Sequence, residues 1–266
     1  MSDSIIQVSP NYELHYKETN NGTKTVIKKR KSHKEYDEHD EEGEDFNDAN
    51  VAVNICEDRI MGWFFEPAQI LIDFDKIALN KEYDVAAVHL ITPLIEVLEV
   101  YKEGQKPSNA RTIPGSELPR SGDGSGQFFQ KSAKKIFTRS LSQLRSNTER
   151  DFAIKILYGG CRCGFAHQGY LQLIPVPDEE TKPKIVIARG KPGELSLTYK
   201  QEEYGSKEVC TLTIYAKPYI EQIKKEFKQF FKDTRSSQPK LNKFHRVWKE
   251  DWEMKRGIVP PVSRSM

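Results

Sequence analysis

Apolar residues recur at helical spacing along most of this chain, and at alternate positions in two short stretches. Ile70, Leu71, Phe74, Ile77 and Ala78 form one apolar face. Pro67 fits the first turn of that helix, where a missing N–H costs nothing. Residues 48–63, with Val51, Ile55 and Trp63, predict a helix before it. From Glu82 to Lys102 a longer helix carries Ala86, Ala87, Leu90, Ile91, Leu94, Leu98 and Tyr101 on a broad apolar face. Pro93 lies inside it, and its ring meets the carbonyl of His89, so a kink is expected. Helical spacing resumes at Phe128 and runs through Phe129, Ala133, Ile136, Phe137, Leu141 and Leu144. Thr148 is the expected N-cap of the next helix, which carries Phe152, Ile156 and Leu157 and runs into Tyr158 to Gly169. Two closing helices follow, one from Pro218 with Ile220, Ile223, Phe227, Phe230 and Phe231, the other from Pro239 to Lys255 with Leu241, Phe244, Trp248 and Trp252.

The period changes to two before this helical region and again within it. Tyr12, Leu14 and Tyr16 alternate with polar residues, Asn21-Gly22 offers a turn, and Thr23 to Lys29 reads as the return strand of a hairpin. Leu171 to Val176, Lys184 to Ala188, Leu195 to Tyr199 and Val209 to Tyr215 read as short strands of an antiparallel meander. The expected fold is a mainly α helical bundle with this small antiparallel β-meander inserted at about 170–215 and an N-terminal β-hairpin. Residues 1–29 form the hairpin segment, 30–47 a charged linker, 48–256 the helical domain and 257–266 a tail. The linker assignment follows from a basic run, Lys28 to Lys34, followed by an acidic one, Glu35 to Asp45, which together bury too little to offset their ordering entropy.

Composition narrows the classes. Forty-one Lys and Arg against thirty-nine Asp and Glu leave a net charge of +2, which excludes binding to nucleic acid by bulk charge but permits a local basic patch. No apolar run approaches the roughly 20 residues of a membrane span. Met1 to Pro10 carries no signal-peptide pattern. Cys56, Cys161, Cys163 and Cys210 are too unevenly spaced for a disulfide framework, so a cytoplasmic setting is expected. Gly122, Gly124 and Gly126 precede a helix, but no apolar strand precedes them, so residues 104–126 read as a connector rather than a phosphate loop.

The chemistry-bearing segment is Arg162-Cys-Gly-Phe-Ala-His167. Arg supplies a planar fork that matches two phosphate oxygens, and His exchanges protons near neutral pH. On an α-helix, residues five apart differ by about 140° in direction, so this pair does not share a face of a regular helix. The same residues permit other readings. Cys161, Cys163 and His167 could hold zinc with Cys56 or Cys210 as fourth ligand, but the Cys-x-Cys-x3-His spacing is not the usual one, and no metal is expected. Cys163 and His167, four apart, could form a nucleophile pair, but the oxyanion site and orienting group are not found.

In its order of features the chain resembles the HEPN-domain family, in particular a bacterial ribonuclease branch. A Leu94-Ile95-Glu96 run, a Gly126-Gln-Phe-Phe129 helix start, Leu157-Tyr158, Arg162-Cys-Gly and His167 follow one another as in that branch. The resemblance implies a metal-independent endoribonuclease, a toxin or defence effector, that cuts RNA by 2′-hydroxyl attack. It implies Arg162 and His167 as the catalytic pair, no cofactor, a homodimer that joins two such pairs, and a neutralising antitoxin as partner. Cys163 and Glu96 are supporting candidates; Glu96 either faces solvent or pairs with a site residue such as Arg162. Cys163 stands where active members often carry Asn, Asp or His, and this favours the alternative, a catalytically silent HEPN-like module that binds RNA, nucleotide or protein. A basic, aromatic C-terminal region adds Lys224, Lys228, Lys232 and Arg235 as RNA-contact candidates, against the plainer reading of amphipathic helices with solvated lysines.

Overall fold

The computed structural model describes residues 5–19, 22–29, 44–45, 48–74, 82–108, 122–164, 183–191, 193–204 and 207–256. It is a mainly helical protein with a small three-stranded sheet between helices and a second sheet at the N-terminal side. Strands β1 (Ile5–Ser9), β2 (Tyr12–Thr19), β3 (Gly22–Lys29) and β4 (Glu44–Asp45) form an antiparallel sheet in that order. The hairpin expected from the sequence is β2–β3. Its register pairs Thr19 with Gly22, so the return strand begins one residue before the expected Thr23. Within the segment read as linker, Glu44 and Asp45 pair with Ile27 and Val26. Residues 30–43 lie outside the described ones.

Helix α1 (Ala49–Ile60) starts on Asp48, whose carboxylate accepts from the N–H groups of Asn50 and Val51 at 2.7 and 3.2 Å. It passes through a π-helical turn, Met61–Phe65, into α2 (Glu66–Phe74). Pro67 has no N–H and crowds the carbonyl four residues back, and widening the preceding turn relieves that crowding. The wider turn also rotates the buried face. Ala68 and Ile72 are enclosed, while Ile70 and Trp63, both expected inside, are exposed. The Trp63 ring instead receives the Arg59 guanidinium at 5.4 Å.

The long helix expected from Glu82 is two, α3 (Glu82–Ile91) and α4 (Leu94–Glu103). They meet at Thr92-Pro93, as the proline required. The Thr92 hydroxyl donates to the Val88 carbonyl at 2.7 Å, and the Ile95 N–H donates to the Thr92 carbonyl at 3.2 Å. Helix α5 (Ser125–Ile136) begins after Gly124, whose N–H is accepted by Gln127 Oε1 at 2.7 Å. A short α6 (Thr138–Leu141) follows, and α7 (Asn147–Ile156) is capped by Ser146, two residues before the expected Thr148.

The inserted sheet holds β5 (Lys184–Ala188), β6 (Leu197–Tyr204) and β7 (Lys207–Tyr215) in the order β5-β7-β6. It is mixed, which corrects the antiparallel meander. β6–β7 is an antiparallel hairpin, but β7 slots between β6 and β5 and runs parallel to β5. Alternation in sequence carries strand identity, not strand order, so this pairing was invisible. The expected strand Leu171 to Val176 lies outside the described residues.

Two helices, α8 (Ala216–Arg235) and α9 (Gln238–Arg256), close the bundle. Tyr219, Ile223, Phe227 and Phe231 of α8 and Phe244 and Trp248 of α9 are fully enclosed and sit in one core with Ile55, Phe65, Ile95, Phe129 and Phe137. Among the described residues no helix is long and apolar enough to cross a membrane.

Candidate functional site

Helix α7 does not end as an α-helix. Leu157 to Gly164 continues it with π winding, eight residues long. Such segments are uncommon and often mark functional sites. The glycines of Leu-Tyr-Gly-Gly-Cys-Arg-Cys-Gly make the wide turn easier to adopt, since three of the eight positions lack a Cβ. The segment packs on α3, α5 and α7. Tyr158 lies against Phe129 with ring centroids 5.2 Å apart, and a Cβ on Gly126 would meet its ring at 3.3 Å. The Gly-Gln-Phe-Phe start of α5 and the segment that carries Arg162 are therefore in direct contact.

Arg162 reaches α4. Its Nε donates to Glu96 Oε2 at 3.2 Å, across 66 positions of sequence, so of the two placements open to Glu96 the pairing with Arg162 is the one present. The arginine side chain is 28% exposed and the glutamate 13%, so the pair sits at the surface of the core rather than inside it. Nε is the only guanidinium nitrogen of Arg162 with a hydrogen bond among the described residues. The terminal nitrogens of a guanidinium are the end of the group that fits two oxygens of a phosphate.

Behind Arg162 lies a buried polar cluster that sequence reasoning missed. His89, on the last turn of α3, has its Nδ1 3.3 Å from the carbonyl oxygen of Cys161. The ring is buried, and this holds its pKa below the usual histidine value. His89 is thus a neutral internal group, not a surface base. Cys161 is fully enclosed and its thiol is pushed up to about 12 by burial, the inert end of cysteine behaviour. The Tyr219 hydroxyl is within 3.0 Å of the Thr92 hydroxyl. The only hint in sequence was Pro93, which broke the helix between His89 and Glu96.

The other candidates fall in different places. The side chain of Cys163 and all of His167 and Phe165 lie outside the described residues, so the Arg162–His167 distance and the zinc and nucleophile readings that use them are not described. Cys56, Cys161 and Cys210 are buried and in no disulfide, and among the described residues no cluster of His, Cys, Asp and Glu is suited to a metal ion. Lys228 and Lys232 are exposed on α8. Lys224 lies over the Phe65 ring at 5.9 Å. Arg235 is used elsewhere. It donates to Asn54 Oδ1 at 2.9 Å and pairs with Glu57, which ties α8 to α1. The rings that alternate with these lysines, Phe227, Phe230, Phe231, Phe244 and Trp248, are core residues and offer no base-stacking face. For these rings the plainer reading, amphipathic helices with apolar faces inward, is the one that holds, and the side chain of Trp252 lies outside the described residues. The two surface clefts described lie near the start of α7, one beside Lys134 and Asn147 and the other beside Arg145 and Glu149, at the opposite end of that helix from Arg162.

Comparison with family models, with curated proteins and with solved structures gives no match to this chain.

Proposed function

We propose that this chain is a HEPN-like, metal-independent endoribonuclease of the cytoplasm, acting as a toxin or defence effector, with Arg162 and His167 as its catalytic pair. The observation that carries the reading is the partly exposed guanidinium of Arg162, held through Nε by Glu96 on a π-helical support. In the proposed reaction the ribose 2′-oxygen attacks the adjacent phosphorus and gives up its proton, and the bond from phosphorus to the 5′-oxygen breaks. The departing 5′-oxygen takes a proton, leaving a 2′,3′-cyclic phosphate. His167 exchanges the proton, and Arg162 stabilises the charge that builds on the non-bridging oxygens. Glu96 orients Arg162 through Nε.

The α-helix argument for a twofold composite site loses its premise over Leu157–Gly164, where the winding is π. The homodimer rests on the family resemblance, and a twofold contact would bring two Arg162–His167 pairs into one cleft. An antitoxin as partner rests on the family resemblance. The silent-module reading is favoured by one residue, Cys163, in place of the polar group that active members often carry.

The test is to incubate the purified protein with single-stranded RNA in EDTA. Discrete cleavage to products ending in 2′,3′-cyclic phosphate is expected, lost in Arg162→Ala and His167→Ala. Equal cleavage by wild type and both variants, or a requirement for a divalent ion, overturns the reading.

A further inference from the structure

The two elements on either side of the Pro93 break each grip one of two consecutive residues of the motif. From α3, His89 Nδ1 meets the backbone carbonyl of Cys161 at 3.3 Å. From α4, Glu96 meets the side chain of Arg162 at 3.2 Å. Cys161 lies within the π-wound stretch Leu157–Gly164, and His89 reaches its carbonyl from the neighbouring helix. A carbonyl only accepts, so the hydrogen sits on His89 Nδ1.

We infer that His89 is a positioning residue for Arg162, acting through its hydrogen bond to the Cys161 carbonyl, which fixes the rotation of the π-helical segment and so the direction of the guanidinium. Burial supports this role. A neutral ring enclosed in the core keeps one tautomer and one orientation, whereas a surface histidine would exchange both with solvent. The break at Thr92-Pro93 sets the spacing between the two grips. Thr92 is itself tied to Val88 at 2.7 Å and to Tyr219 at 3.0 Å, which anchors the break to α8. Without that hydrogen bond, the segment keeps its packing on α5 but loses its rotational reference, and Arg162 no longer meets Glu96.

Only the activity readout rests on the nuclease reading; the structural readout does not. Arginine-15N NMR of the full chain should show the Arg162 Nε–H slowed in exchange in wild type and in His89→Asn, whose amide nitrogen replaces Nδ1, and fast in His89→Leu. RNA cleavage should fall in kcat by about 10²-fold in His89→Leu, with KM little changed, and recover to within a few-fold in His89→Asn. A folded His89→Leu with wild-type Nε–H exchange overturns the inference. If His89→Leu does not fold, histidine-15N spectra of wild type decide: the Nδ1–H tautomer supports the inference, and the Nε2–H tautomer overturns it. If wild type cleaves no RNA, the nuclease reading falls while the exchange data still decide the role of His89.

Discussion

Gly62→Ala should detach the N-terminal sheet from the helical body. Gly62 lies in the π-helical turn between α1 and α2, and a Cβ there would sit 2.3 Å from Pro10 Cγ and 3.2 Å from Pro10 Cβ. Carbon atoms pack at about 3.5–4.0 Å, so the ring must retreat by about 1 Å or more. Pro10 cannot retreat alone. It joins β1 to β2, and the next residue, Asn11, donates its backbone N–H and its side-chain amide to the two carboxylate oxygens of Asp58 at 2.7 and 2.6 Å. A hydrogen bond to a charged group contributes about 1.5–3 kcal/mol, and both of these are exposed, so the lower figure applies. Losing both costs about 3 kcal/mol of docking free energy, a factor of about 100 in the local equilibrium. Native-state hydrogen exchange should then show β1–β3 losing about two orders of magnitude of protection, with α4, α5 and α8 unchanged. Pro10→Gly, which removes the ring, should make Gly62→Ala nearly silent in the double variant. Unchanged protection of β1–β3 in Gly62→Ala would refute the docking geometry.

Four further outcomes follow from the same structure. Tyr219→Phe removes the hydroxyl that meets Thr92 and should lower unfolding stability by about 1 kcal/mol, measured by urea titration. Glu99, enclosed on α4, holds Lys135 at 3.0 Å and Lys131 at 3.3 Å from α5; removing both lysines (Lys131→Ala with Lys135→Ala) should destabilise more than Glu99→Ala in urea titrations, since it strands an enclosed carboxylate whereas the lysines left by Glu99→Ala reach solvent. His89 has its pKa depressed by burial below 6.5, so the unfolded chain takes up the proton first and stability should fall as pH drops below about 6.5; thermal melts at pH 7.5 and 5 should show a smaller acid loss in His89→Asn than in wild type. The Cys161 thiol is raised to about 12 from 9.0, so its contribution is present below pH 9 and lost as pH climbs toward 12, and Cys161→Ala should flatten that alkaline loss in urea titrations.

Much of the architecture was legible in the order of residues. Helical spacing located the core faces of α1, α4, α5, α8 and α9, because burial of one stripe is a local demand repeated every turn. Pro93 announced the α3–α4 break, because its missing N–H acts wherever the residue stands. Glu96, the lone acid of the Leu94-Ile95-Glu96-Val97 run, was readable as facing solvent or pairing with a site residue such as Arg162. Tertiary structure decided the rest. The two π-helical stretches shift which residues face inward, turning Ile70 and Trp63 out, and no periodicity rule carries that extra residue per turn. The parallel seat of β7 beside β5 depends on what the helices leave open, not on alternation within either strand. Arg235 looked like part of a basic face until α1 supplied Asn54 and Glu57 to consume it. His89 had no signal of its own. Its role comes from the carbonyl of Cys161, 72 residues away in sequence, which only the packing of α3 on the π-helical segment brings within 3.3 Å.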